Sequence, residues 1–130
     1  MMKVVASVDL ARRVAEGDLS AEVVAWLSQG FHRHLTGGKL DEALGLDRAS
    51  RLRERNQALH DAAAILAADT TWGTAGLLSK AILRYEARIL PLVKLAPGYP
   101  LTPVDDAIRR AFDTGQRVPT TARNLFEIIR

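Results

Sequence analysis

Two stretches of this chain share one hydrophobic rhythm. Ala49, Leu52, Asn56, Leu59, Ala63 and Leu66 fall alternately three and four residues apart, and so do Ala75, Leu78, Ile82, Tyr85, Ile89 and Leu92. A repeat averaging 3.5 residues holds one narrow apolar stripe on each of two long helices, so each helix needs a neighbour to cover its stripe. The break between them, residues 67–71, is too short for anything but a tight reversal. An antiparallel helical hairpin of about 48–66 and 72–90 follows. The fold expected around it is all-α, a single-domain bundle of five or six helices over 1–130.

The remaining helices are read from caps and breakers. Residues 1–19 suggest a loosely packed arm or a short helix, with Val4, Val5, Val8, Leu10 and Val14 as its apolar positions and Gly17 as its stop. Ser20 is placed to cap a helix over 21–35 whose Val24, Leu27, Phe31 and Leu35 share a face, ended by Thr36-Gly37-Gly38. Lys39 to Leu46 reads as one or two turns closed at Gly45, after which Asp47 caps the first seam helix. The second is expected to begin after Asp69, Thr70 or Thr71 and to stop before Pro91. Gly73 and Gly76 in its first turns each cost up to ~1 kcal/mol against alanine, which points to close packing there. Thr102 with Pro103 and Asp105 forms a favourable start for a further helix that ends at Gly115. Thr120 or Thr121 begins the last one.

Setting the hairpin in register brings flanking charges together. Arg53 falls opposite Glu86, an expected ion pair. On the other flank Arg48 and Arg55 approach Arg88, with Arg51 and Arg84 one step out, so these five are the candidate anion or nucleic-acid contacts. Such a cluster needs an acidic neighbour, solvent or an anionic ligand. Asn56, the polar member of its seam, would either fix register or turn toward water.

Composition narrows the function classes. With 130 residues and no cysteine the chain is long enough for a core and has no disulfide, thiolate metal site or cysteine nucleophile. A soluble, cytoplasmic protein is expected, since no secretory leader is visible after Lys3 and charges interrupt every apolar window well short of the ~18–20 residues of a membrane span. The excess of eighteen basic over fifteen acidic side chains is mild, and no tail concentrates it.

Several motifs are weighed and set aside. Leu40 to Arg51 resembles a helix-turn-helix about Gly45, but Asp41 stands where a small residue should pack and Arg51 where an apolar anchor belongs. His32 and His34 point roughly 200° apart on a helix and His60 is distant, so no metal site is expected. Gly37-Gly38-Lys39 lacks the rest of a phosphate loop. Asp41-Glu42 and Asp105-Asp106 sit in first turns, where carboxylates complement the helix dipole. No catalytic constellation or cofactor motif emerges, and the chain is read as non-enzymatic.

Trp26 and Trp72 read as core or core-edge residues. Trp72 and Tyr99, the latter between two prolines in the longest loop, are the candidate partner contacts if exposed. The leading expectation is a small helical module that binds a macromolecule, foremost a protein, through a helix face or by self-association. The alternative is a DNA-binding regulator or accessory factor using the arginine cluster.

Overall fold

The computed structural model describes residues 5–130, so Val4 lies outside the described residues. It is all-α, with no strand among the described residues. Eight α-helical segments follow in order: α1 Ser7–Ala15, α2 Ala21–Leu35, α3 Leu40–Ala43, α4 Arg48–Leu66, α5 Thr71–Arg84, α6 Leu90–Leu95, α7 Pro103–Asp113 and α8 Ala122–Ile129. A π-helical turn, Tyr85–Ile89, joins α5 to α6. Two compact units are distinguished, the first ending at Glu54 and the second comprising Arg55–Arg130.

The first unit has little interior. Its buried hydrophobic side chains among the described residues are Leu10 and Val23, with the backbone of Gly30 buried beside them. α2 packs against α1 and α3. A Cβ on Gly30 would stand 2.1 Å from Leu44 Cδ2 and 2.9 Å from Leu44 Cγ, so the glycine is a notch that admits Leu44. Trp26 Nε1 donates to the Leu44 carbonyl at 3.2 Å and ties the same contact. These contacts select the Val23 and Gly30 side of α2 for burial. Val24, Phe31 and Leu35, expected on the inward face, are exposed instead.

Two ends in this unit are capped in unexpected ways. Ser20 occupies the N-cap position of α2, but its hydroxyl accepts from Arg13 Nη2 at 2.9 Å and makes no cap bond. Arg13 also pairs with Asp18 and Glu22, and the guanidinium beside Asp18 holds that carboxyl below its usual range. The N-cap of α1 is Ala6, which has no side-chain acceptor. Glu54 supplies one from α4: its carboxylate accepts the N–H groups of Ser7 at 2.9 Å and Val8 at 3.3 Å, satisfying two of the unpaired donors of that helix start.

The second unit holds the main core. Ala75, Leu78, Ile82 and Tyr85 are all fully buried, so the α5 seam is realised through the first residue of the π turn. They share one cluster with Ala58, Leu59, Ala62 and Ala63 of α4, Ala107, Ile108 and Ala111 of α7, and Leu125 of α8. The most extensive backbone approach of α5 is to α8, the C-terminal helix. Ser79 Oγ donates to the Thr120 carbonyl at 2.5 Å and fixes the chain just before α8. Thr70, Thr102 and Thr121 cap α5, α7 and α8 by accepting from Gly73, Asp105 and Asn124.

The second seam helix does not stop before Pro91. Helical backbone continues to Leu95, with Pro91 in the first turn of α6. A proline in a regular helix has no N–H to give and collides with the carbonyl four residues back. The wider π turn immediately before it changes the hydrogen-bonding frame, and the helix carries on. It ends at Ala96, which is extended at φ −137° as the residue before Pro97 tends to be.

Gly73 and Gly76 prove to be different cases. A Cβ at Gly73 would lie 3.0 Å from Thr70 Oγ1, inside the cap of α5. A Cβ at Gly76 would meet nothing within 4 Å, so close packing does not account for that glycine.

Candidate functional site

Of the arginines singled out from the sequence, Arg51, Arg53, Arg55 and Arg84 are each committed to a different partner. In the first unit Arg51 Nε donates to the Leu46 carbonyl at 2.7 Å, while Arg53 Nη2 donates to Ser50 Oγ at 3.0 Å. In the second unit Arg55 donates through Nε and Nη2 to Asn56 Oδ1 and through Nη1 to the Arg117 carbonyl at 2.8 Å. Burial pulls the Arg55 pKa down, and Asn56 thereby becomes an acceptor for its neighbour, neither a free polar plug nor turned wholly to water. Arg84 Nη2 pairs with Asp105 Oδ2 at 3.1 Å, and that carboxylate is almost wholly buried. Arg48 and Arg88 are exposed and make no ion pair among the described residues.

Glu86, the expected partner of Arg53, lies in the other unit. It lines an open groove of about 590 Å³ with Phe112, Gln116, Arg117 and Val118. Two other arginines of this unit belong to a network on α7: Arg109 bonds Asp106 and Asp113, and Arg110 bonds Asp61 at 3.0 Å. No group of three or more His, Asp or Glu side chains capable of holding a metal ion occurs among the described residues. No described helix is long and apolar enough to cross a membrane.

The two aromatic candidates are both exposed. Trp72 is 56% exposed with its ring edge-on to Phe126 at 5.5 Å, so it stands on the surface, outside the core edge expected for it. Trp26, by contrast, is half-buried over Leu44. Tyr99 lies in the loop after α6, near the end of a helix whose Leu92 and Leu95 are also exposed.

The largest departure from the sequence expectation is on α2. Leu35 is 83% exposed, Val24 49% and Phe31 48%, and Leu19 just before the helix is 67% exposed. With Ala21 and Ser28, also exposed, Val24, Phe31 and Leu35 complete a seam spaced three, four, three and four apart. That is the same rhythm as in α4 and α5, but here nothing in the described unit covers it. Its signal was present in the sequence; what was missing was the Gly30 notch, which diverts burial to the neighbouring side of the helix. A seam of this kind does no bond-making chemistry; it offers a partner helix apolar contact area at regular spacing.

No protein-family model matches this chain, and neither the curated proteins nor the solved structures contain a match.

Proposed function

We propose that this protein is a non-enzymatic module that docks on a protein partner through the exposed seam of α2. The observation that supports the reading is the coincidence of exposure and register: Val24, Phe31 and Leu35 stand on one stripe of a fifteen-residue helix. Fully burying a Leu, Val or Phe side chain contributes about 1.5–3 kcal/mol. Four such side chains between 48% and 83% exposed, Leu19 included, therefore hold several kcal/mol that a partner can realise, enough to offset much of the ~4–15 kcal/mol entropic cost of association. Scattered exposed hydrophobics need no explanation, but an ordered stripe does.

The nucleic-acid reading has weaker support, because Arg51, Arg55 and Arg84 direct donors to their own chain, and of the five only Arg48 and Arg88 stay unengaged among the described residues. Affinity capture on immobilised wild-type chain, compared with Phe31→Glu and Leu35→Glu, tests the docking reading. Proteins enriched on the wild type should be lost from both variants. Partners retained equally by all three, or salt-dependent retention on duplex DNA with no captured protein, would overturn it.

A further inference from the structure

The geometry points to a second copy of this chain as the occupant of the α2 seam, paired antiparallel in a weak, reversible dimer; this rests on the docking reading above. The charge pattern is the first reason. Ala25, Leu27, His32 and His34 flank the stripe, and none of them is Asp, Glu, Lys or Arg. The formal charges of α2, Glu22 and Arg33, project from the opposite side of the helix, where Glu22 bonds Arg13 at 3.0 Å. A surface that meets its own copy brings like groups together, so uncharged flanks remove the repulsion that would oppose such a pair, and they give no preference for a charged partner.

Side-chain size sets the direction. The seam is small at its start, with Ala21, Val24 and Ser28, and large at its end, with Phe31 and Leu35. In parallel, like would meet like, crowding two phenylalanines and two leucines at one end and leaving the Ala21 and Ser28 layers underfilled. Antiparallel pairing puts Leu35 against Val24 of the other copy and Phe31 against Ser28, so each layer matches large with small. The helix dipoles then also oppose one another.

The available area sets the strength. A fifteen-residue helix is about 22 Å long, and a helix pair of that length buries on the order of 500 Å² per partner. A specific, stable interface generally buries about 800 Å² per partner. The dimer is accordingly expected to be weak and to form and dissociate reversibly.

Sedimentation velocity on the full chain from about 5 µM to about 500 µM tests this directly. The average mass should rise from monomer toward dimer, with a midpoint that changes less than about twofold between roughly 50 and 500 mM NaCl, because no charged pair contributes. Leu35→Glu and Ser28→Glu should each shift the midpoint upward by about tenfold or more with unchanged helical circular dichroism, whereas Leu95→Glu, on the other unit, should leave it in place. The chain has no cysteine, so mixing Val24→Cys with Leu35→Cys protein should give a disulfide-linked heterodimer in excess over either homodimer. A strict monomer throughout the range, a dimer indifferent to Leu35→Glu, or preferential Leu35→Cys homodimers would overturn the inference. A strict monomer that still captures a protein through Phe31 and Leu35 removes self-pairing alone; loss of both removes the docking reading with it.

Discussion

Replacing Tyr85 by phenylalanine should leave the protein at least as stable at neutral pH and distinctly more stable in alkali. The ring is fully buried, tilted at 33° against Phe112 with centroids 5.4 Å apart, and its hydroxyl has no hydrogen-bond partner among the described residues. A buried, unsatisfied hydroxyl costs roughly 1–3 kcal/mol, and phenylalanine keeps the ring contacts while removing that cost. At pH 8 the variant should therefore be more stable by about 1 kcal/mol. Burial, with the Asp113 charge adding to it, pushes the phenol up from 10.0 to about 12. The unfolded chain thus loses this proton near its ordinary value while the folded chain holds it. The resulting stability is intact below pH 10 and is lost as pH rises through about 12. A shift of that size corresponds to roughly 2–3 kcal/mol, by which the gap between the variant and the wild type should widen over that window. Urea titrations at pH 8, 10 and about 11.5, followed by far-ultraviolet circular dichroism, measure the gap, and taking the difference cancels the titration of groups common to both proteins. A loss of more than about 1 kcal/mol at pH 8 would show that the hydroxyl is satisfied and would refute the reasoning.

Gly76→Ala should raise the denaturation midpoint, with a gain of up to ~1 kcal/mol, since a Cβ there meets nothing and alanine is the better helix former; a destabilised variant would mean that another segment packs on that site. Glu54→Ala should release the start of α1, costing about 0.5–2 kcal/mol locally as for a lost N-cap. Amide exchange should accelerate at Ser7 and Val8, and unchanged protection at both would rule out the carboxylate as their acceptor.

The parts of the fold legible in the sequence are those fixed by neighbours within four or five residues. The helix start at Thr102 was readable, and those at Thr70 and Thr121 to within a residue, because an N-cap oxygen serves an N–H three residues on, and each does. The α5 seam was readable because the period of a helix puts Ala75, Leu78, Ile82 and Tyr85 on one line, whatever covers it. Periodicity, however, reports only that an apolar stripe exists. On α2 the stripe was found and its fate was not: Gly30 admits Leu44, burial goes to that side, and the seam is left outside. Chain order likewise gives no hint that Arg55 donates to a carbonyl 62 residues away at Arg117, that Arg84 pairs with Asp105, or that Glu54 caps a helix begun at Ser7. Nor does it show that the Tyr85 ring is packed while its hydroxyl is stranded. Helix starts and apolar lines were set locally because those depend on backbone geometry a few bonds long, whereas the passage of the helix through Pro91 was not. Which lines were covered, and which charges were spent, was decided by volumes and hydrogen-bond partners that meet only when distant segments fold together.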